Sequence, residues 1–334
     1  MIVEPLVQSF FSDPSKTPAP MPTREAFGKA LLEIGGKLQD IVVVDADLGK
    51  STFAILFGRK YPERWIECGA AEQNMMGIAA GLAAAGKIPF ATTFAVFATG
   101  RAFDQIRVSI AQPKLNVKIV ASHAGLTVGE DGKSAQALED LSLMCSLPGF
   151  TVIVPADPVE TAQAVEAAVM QKGPFYIRTG RSAVPFLYGP DYRFTLGKAV
   201  TMRDGRDATI IAIGVMVKAA LDAAEALATE GVSCRVLNMP TIKPIDAEAI
   251  IAAAEETGAI VTAEEHLEHG GLGSIVASTL VRHRPVPMEM VAVKDMYGQS
   301  GKPQELLDHY GLTSDAIAGA VRSALERKRV HQQV

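Results

Sequence analysis

Short apolar runs rich in β-branched residues alternate along the chain with longer, alanine-rich segments. In the first half the short runs predict strands, and the segments between them have the hydrophobic spacing of helices. The predicted strands are residues 41–44, 89–93, 117–121, 151–154 and 175–178. The predicted helices are residues 24–35 (with Thr23 as the N-cap), 72–85, 98–111, 136–146 and 158–171.

A second unit follows a stretch containing glycine and proline at residues 182–192. Its predicted strands are 208–213, 233–237, 259–263 and 290–293, and its predicted helices are 217–229, 247–256, 273–283 and 314–329. Strands that are apolar on both faces and separated by helices are typical of parallel sheets covered on both sides. We therefore predict an α/β protein with two parallel-sheet domains, over residues 22–190 and 191–330.

The two ends of the chain look different from these units. Residues 1–21 are rich in proline and serine and are expected to form an extended N-terminal arm. The final RKRVHQQV predicts a frayed, solvated helix end. The N-terminus lacks the basic start of a signal peptide, and the most apolar stretch, residues 77–86, is too short to cross a bilayer. We expect a cytoplasmic protein with no membrane contact.

Composition narrows the class of protein further. The chain has 334 residues, of which 48% are hydrophobic and 21% charged, so a sizeable core is possible and general disorder is excluded. The net charge of −5 gives no basic footprint for nucleic acid. The three cysteines, Cys68, Cys145 and Cys234, are far apart, as expected for buried thiols in a reducing compartment.

Two motifs suggest chemistry but lack essential parts. Residues 49–52 (GKST) imitate the end of a phosphate-binding loop, but Val44 stands where that pattern needs a glycine. His266 and His269 have acidic neighbours, yet no third metal ligand is placed by spacing. We predict a polar loop there, and no metal site in this chain.

A more informative group of residues lies where the predicted strands end, which is where parallel sheets bind ligands. Glu72 opens a helix of small residues, and Phe94 and Phe97 follow the next strand. His123 and Asp131 lie in a glycine-rich loop after the strand at 117–121. A carboxylate beside flat aromatic surface suits a protonatable heteroaromatic ring, whereas the His and Asp suit a polyol or phosphorylated substrate. Alone, Glu72 is equally well explained as a favourable charge at a helix N-terminus.

Taken together, these motifs resemble the C-terminal half of transketolase, especially the C-terminal subunit of split transketolases. The resemblance covers about residues 22–328. The motifs that carry it are TREA at 23–26, VDADL at 44–48, GAAEQNM at 69–75, TFAVF at 93–97, HAGLTVGEDG at 123–132 and NMPTIKPID at 238–246. It implies a thiamine-diphosphate pyrimidine-binding (Pyr) domain over residues 22–190 and a transketolase C-terminal domain over residues 191–330.

The resemblance also implies cofactor roles. Glu72 matches the catalytic glutamate that hydrogen-bonds the pyrimidine ring nitrogen of thiamine diphosphate, and burial beside the phenyl rings is expected to help it hold its proton. Phe97 matches the ring that stacks on the pyrimidine, Phe94 a wall of the pocket, and Asp47 an aspartate beside the cofactor.

Substrate roles are implied for a second set of residues. Four of them match the positions that grip the sugar phosphate: Arg24, Ser51, His123 and Arg181. Arg178 is an alternative match for Arg181, because it lies three residues away. Asp131 matches the aspartate that binds the sugar hydroxyl next to the carbonyl.

Two positions depart from the family pattern. Ala135 stands where the family has a histidine that donates to the substrate carbonyl oxygen, and Gly100 replaces a common tyrosine. The first change predicts an altered rate or donor range, and the second a wider pocket near the pyrimidine.

The motif for diphosphate and metal, GDG with a downstream Asn, is missing from the sequence. The resemblance therefore implies a partner: an N-terminal (PP-domain) subunit that binds the diphosphate and Mg²⁺ or Ca²⁺, in an α2β2 heterotetramer. Three alternatives stay open. They are the β subunit of a 2-oxo acid dehydrogenase, 1-deoxyxylulose-5-phosphate synthase and a non-catalytic transketolase paralogue.

Overall fold

A computed structural model describes residues 1–13 and 17–331. Its strands are β1 (Met21–Pro22), β2 (Ile41–Asp45), β3 (Trp65–Glu67), β4 (Ile88–Phe94), β5 (Lys118–Ser122), β6 (Thr151–Ile153), β7 (Phe175–Arg178), β8 (Ala183–Val184), β9 (Val200–Arg203), β10 (Ala208–Ala212), β11 (Cys234–Asn238), β12 (Thr241–Lys243), β13 (Ile260–Leu267) and β14 (Met288–Val293).

Helices connect most of these strands. They are α1 (Glu4–Phe10), α2 (Thr23–Lys37), α3 (Gly49–Thr52), α4 (Ile55–Lys60), α5 (Glu72–Ala84), α6 (Phe103–Gln105), α7 (Asp140–Ser146), α8 (Pro158–Met170), α9 (Met216–Thr229), α10 (Ala247–Thr257), α11 (Leu272–His283), α12 (Pro303–His309) and α13 (Ser314–His331). A single turn of 3₁₀-helix lies at Pro62–Arg64, and two short 3₁₀ turns separated by a kink at Gly129 make up Leu126–Asp131. Wide π-helical turns lie at Phe97–Arg101 and Ile106–Ala111.

The larger sheet has the strand order β12-β6-β7-β5-β4-β2-β3, and its strands pair in parallel except at β12. Strands β2, β4 and β5 are fully or almost fully buried, as the continuous apolar runs predict. Helices α2 and α8 pack on one face, whereas α5 packs against β4 on the other side of the core. The carboxyl ends of β2, β4 and β5 therefore meet at one edge.

The second sheet has the order β14-β13-β10-β11-β9, again parallel except for one edge strand, β9. Helices α9 and α13 cover one face, and α10 and α11 pack with the other core. An α/β fold with two helix-covered sheets, as predicted, is confirmed.

The structure corrects the expectation that both sheets are purely parallel. Antiparallel edge strands β12 and β9 are too short to show an apolar pattern, and β12 comes from the second half of the chain yet pairs with β6 of the first sheet. An added edge strand covers backbone groups that would otherwise be unpaired. The second half of the chain thus contributes one edge strand to the first sheet.

The N-terminal segment is not an extended arm throughout. Residues Glu4–Phe10 form α1, which buries Val3 and Val7 in the same core as Phe27. Pro5 lies in the first turn, where proline is well tolerated. Seven residues are too few for a clear helical pattern, so this helix was not predicted from the sequence. Residues 14–16 of the predicted arm lie outside the described part.

Several helix limits also differ from the prediction, and α7 begins at Asp140 instead of residue 136. Helix α2 begins at Thr23 itself, and the Thr23 hydroxyl accepts the Gly180 amide at 2.7 Å instead of capping the helix. The predicted continuous helix over residues 98–111 is interrupted by its two π-helical turns. At the C-terminus α13 extends to His331, and the rest of the predicted frayed end lies outside the described residues.

Candidate active site

Three nearly parallel aromatic rings line the edge where β4 and β5 end. Phe94 and Ser122 are register partners on these strands, which brings His123 against Phe94. The Phe94 and His123 ring centroids are 3.7 Å apart at 19°, and those of Phe94 and Phe97 are 5.7 Å apart at 15°. The sequence predicted this aromatic surface, and the structure adds the imidazole to it.

His123 is held in its position from several sides. Its backbone has a left-handed conformation, with φ of 59°, which is uncommon for a residue with a side chain. Arg24 donates to Nε2 at 3.3 Å, so Nε2 carries no proton and Nδ1–H donates to the Ser122 hydroxyl at 2.8 Å. Burial, together with the positive charges of Arg24 and Arg181, lowers the pKa of His123 to about 3. The imidazole is therefore neutral at physiological pH.

Arg24 connects three of the residues proposed to bind substrate. Its Nη1 donates to the Ser51 carbonyl oxygen at 2.7 Å and reaches His123, while its guanidinium lies 5.4 Å from the centre of the Phe53 ring. Its buried Nε has no hydrogen-bond partner. Burial and the charge of Arg181 lower the pKa of Arg24. Two arginines whose positive charges repel each other would both be stabilised by an anion bound between them.

Glu72 is the first residue of α5, and its side chain is only 1% exposed. Arg101, from the π-helical turn, donates through Nη1 to both Glu72 carboxylate oxygens at 2.9 Å. The same guanidinium lies 4.3 Å from the centre of the Phe97 ring. Arg101 is a site residue not predicted from the sequence, although it follows Phe97 by four residues near the start of a predicted helix, a spacing at which helical side chains meet.

The loop after β2 is organised by Asp45, which the sequence analysis also missed. The buried Asp45 carboxylate accepts from the Thr92 hydroxyl at 2.6 Å and from the amides of Leu48 and Gly49 at 2.9 and 2.7 Å. Burial raises the pKa of Asp45 to about 6. Because the carboxylate occupies these amides, the loop does not present them to a phosphate, consistent with rejection of the phosphate-loop motif.

Asp47 lies beside this buried group but faces outward. Its side chain is exposed, its φ is 60°, and its amide donates to Glu67 at 2.9 Å.

The remaining predicted substrate residues come from the glycine-rich loop and from the segment after β7. Asp131 is exposed at the end of the Leu126–Asp131 turn. Arg181 donates to the Val128 carbonyl oxygen and, at 3.1 Å, to Glu130, so its side chain reaches this loop.

Arg178, the alternative to Arg181, is buried in a network of contacts within the protein core. Its guanidinium is buried against the Asp140 carboxylate at 2.8 Å, and it also donates to the backbone of Ala137 and Glu265. Of the two arginines, Arg181 has the exposed fraction, 33%, that a ligand-binding residue needs.

The two departures from the family pattern lie in different surroundings. Ala135 is only 7% exposed, and its amide donates to the Gly132 carbonyl oxygen at 3.0 Å in a tight turn. Gly100 is exposed, and a Cβ built on it meets open space.

The structure corrects the prediction of a polar loop for His266, which lies within β13, whereas His269 follows that strand. His266 is buried, with Nδ1 2.7 Å from the Leu267 carbonyl oxygen, whereas the His269 side chain is 73% exposed. Among residues 1–13 and 17–331 no group of three or more His, Cys, Asp or Glu side chains could hold a metal ion. In the same part of the chain no helix is both long and apolar enough to traverse a bilayer.

The chain thus consists of a larger α/β unit, which carries the buried glutamate and the aromatic surface, followed by a smaller α/β unit. Models of two protein domains match the chain: the transketolase pyrimidine-binding domain over residues 19–186 and the transketolase C-terminal domain over residues 197–317. The chain belongs to the transketolase family, whose members are thiamine-diphosphate-dependent transferases.

Individual relatives agree with this family. A solved structure described as a split gene transketolase, inactive beta4 tetramer, is 51% identical, with a TM-score of 0.86 over 93% of this chain and 100% of that one. The 6-deoxy-6-sulfo-D-fructose transketolase subunit SqwH of Clostridium sp. (strain MSTE9) is 43% identical over 91% of this chain and 95% of its own length. Human transketolase is 42% identical, but the chain spans only 49% of its length. The chain thus has the extent of a split-transketolase C-terminal section.

Proposed function

We propose that this chain is the C-terminal subunit of a split transketolase, which moves a two-carbon ketol unit from a ketose phosphate to an aldose. The observation that carries the proposal is the carboxylate of Glu72, which is buried at the start of α5. Arg101 contacts both this carboxylate and the ring of Phe97, so the two groups lie close together. A buried acid with an aromatic platform is what recognition of an aminopyrimidine ring requires.

The residues present fit the pyrimidine half of thiamine diphosphate. A flat cation, the Arg101 guanidinium, already stacks on Phe97 while donating to Glu72, so the space accepts a planar group with an N–H edge. Glu72, Phe94 and Phe97 would hold the ring, with Asp47 beside it. When bound, the cofactor supplies the nucleophilic carbon that carries the two-carbon unit.

This chain's own contribution to activation is a proton held at Glu72. The carboxyl group would donate to the pyrimidine ring nitrogen, and the apolar rings would exclude water from that contact. The diphosphate and Mg²⁺ or Ca²⁺ are assigned to the partner subunit, because the sequence contains no motif for them.

The substrate would enter beside the aromatic surface. Arg24, Ser51, His123 and Arg181 would bind its phosphate, and neutral His123 would add no charge to this group. Asp131 would bind the hydroxyl next to the carbonyl. Arg24 with an unpartnered Nε and the mutual repulsion of Arg24 and Arg181 support an anion site here.

We further propose an α2β2 heterotetramer in the cytoplasm, with each active site at an interface with a PP-domain subunit. The unpaired state of Cys68, Cys145 and Cys234 supports a reducing compartment.

Reconstitution tests the function. The chain is mixed with a PP-domain subunit, thiamine diphosphate and Mg²⁺, and ketol transfer from xylulose 5-phosphate to ribose 5-phosphate is measured alongside decarboxylation of 2-oxo acids. Ketol transfer that needs both subunits supports the proposal. Decarboxylation alone would indicate the 2-oxo acid dehydrogenase class, and inactivity despite cofactor binding a non-catalytic paralogue.

A further inference from the structure

The acid at the centre of the proposed cofactor site already has a partner within this chain. Glu72 is 1% exposed, and Arg101 donates to both of its oxygens at 2.9 Å. A buried carboxylate without a counter-charge is costly, so this contact stabilises the chain in the form described.

The Arg101 guanidinium copies two features of a bound aminopyrimidine. It is flat and lies 4.3 Å from the centre of the Phe97 ring, and it presents N–H groups to the Glu72 carboxylate. A pyrimidine recognised by Glu72 and Phe97 would need the same face of the Phe97 ring and the same Glu72 carboxylate oxygens. Both groups cannot occupy this place together.

The Arg101 side chain is also free to leave while its backbone stays. The Gln73 amide group donates to the Arg101 carbonyl oxygen at 3.1 Å, which ties the π-helical turn to α5. The side chain is 50% exposed, and the preceding Gly100 faces open space. Within the described residues, the guanidinium contacts Glu72 and the Phe97 ring and so has few interactions to lose.

We infer that Arg101 fills the pyrimidine position in the cofactor-free chain and must move away before thiamine diphosphate binds. This inference rests on the proposed function. Displacement also frees both Glu72 oxygens for the hydrogen bond to the pyrimidine that its proposed role requires. Arg101 is therefore a positioning residue that competes with the cofactor.

The test compares cofactor affinity in the reconstituted complex by calorimetry, with thiamine diphosphate and Mg²⁺ as the titrants. Arg101→Met removes the competitor, and Arg107→Met is a matched control, because Arg107 is 49% exposed and pairs with Asp104 instead. A partly exposed ion pair is worth about 1 kcal/mol, so we expect Arg101→Met to lower the Kd about fivefold. Arg107→Met should leave the Kd unchanged.

A double-mutant cycle separates competition from an unspecific effect. In a Glu72→Gln background the charged contact is weakened, and Arg101→Met should change the Kd less than about twofold. Arg101→Lys, which keeps the charge but loses the planar guanidinium, should fall between wild type and Arg101→Met, and it replaces the latter if Arg101→Met does not fold.

Each other outcome overturns the inference in a distinguishable way. Equal affinities of wild type and Arg101→Met, with binding intact, would refute the competition while the proposed function stands. Weaker binding by Arg101→Met would show that Arg101 supports the bound cofactor. Failure of every version of the complex to bind thiamine diphosphate would refute the proposed function and the inference with it.

Discussion

At the scale of single residues, two interpretations of Glu72 predict different surroundings for its carboxylate. A carboxylate that only interacts favourably with a helix N-terminus stabilises the fold by roughly 0.3–1 kcal/mol and is expected to be exposed to water. Glu72 is instead buried at the edge that carries the aromatic surface. This burial supports the proposed cofactor role of Glu72.

Replacing Glu72 with Gln should remove turnover in the reconstituted complex and leave the fold intact, because Gln keeps the shape but not the exchangeable acid proton. We expect kcat to fall far more than tenfold, a barrier change well above about 1.4 kcal/mol. Steady-state kinetics gives the rate, and circular dichroism checks the fold. A variant that keeps more than a tenth of wild-type kcat would reduce Glu72 to a helix-end charge.

Ala135 provides the sharpest question about substrate range. One donor to a developing oxyanion is commonly worth on the order of 100-fold in rate, so Ala135→His should raise kcat/KM for xylulose 5-phosphate and reduce acceptance of bulkier ketoses. Ala135→Phe fills the same buried position without a donor and serves as the control. If the His variant equals wild type on every donor, the alanine is neutral.

His123 makes a prediction about pH. Its pKa falls from 6.5 in the unfolded chain to about 3 in the folded chain. Between these values the unfolded state binds the extra proton, so its contribution to stability is lost progressively as the pH falls below 6.5.

Replacing His123 with Asn, which tolerates a positive φ, should flatten the fall in unfolding free energy between pH 6.5 and 4 by up to about 1.4 kcal/mol per pH unit. Urea unfolding at several pH values measures this slope. The exposed His283→Asn serves as the control and should follow wild type. Parallel curves for all three proteins would mean that His123 titrates normally.

At the scale of elements, Arg178 of β7 makes one of the contacts between the two sheets. Its guanidinium pairs with Asp140 at the start of α7 and donates to the Glu265 carbonyl oxygen of β13 at 2.9 Å. Asp140 and Glu265 raise the pKa of Arg178, which opposes the effect of its burial. This single buried side chain therefore links a strand of one sheet, a helix and a strand of the other sheet.

Asp140→Asn should destabilise the chain by about 3–5 kcal/mol, because it leaves a buried guanidinium without its counter-charge. The matched control is Asp104→Asn, which breaks an exposed Asp–Arg pair and should cost under about 1 kcal/mol. Chemical unfolding of both variants measures the difference. Similar losses for the two would show that the buried pair has no special weight.

At the scale of the whole molecule, the central expectation is that the chain is folded but incomplete. The three buried apolar clusters, one of them shared between the two sheets, consist of this chain's own side chains, so we expect the chain to fold without the cofactor. The pyrimidine side of the proposed site is built from this chain, whereas nothing in the sequence supplies the diphosphate side.

The isolated chain should therefore bind thiamine diphosphate and Mg²⁺ only weakly and show no ketol transfer. A ligand at 100 times its Kd stabilises a protein by about 2.7 kcal/mol, so a thermal melt at millimolar cofactor detects any tight site. We expect no shift for the chain alone and a clear shift once the PP-domain subunit is added. A tight, metal-dependent site on this chain alone would refute the split-enzyme proposal.

The sequence alone determined the order and type of the long elements, because buried parallel strands and alanine-rich helices have distinct patterns of apolar residues. It also determined the family, through motifs such as those around Glu72 and His123. Tertiary structure decided what depends on contacts between distant residues. The edge pairing of β12, the docking of α1, the assignment of Arg178 to the core and the pairing of Arg101 with Glu72 all have this origin. Local patterns do not encode such contacts, because they depend on which side chains the folded backbone brings within a few ångströms.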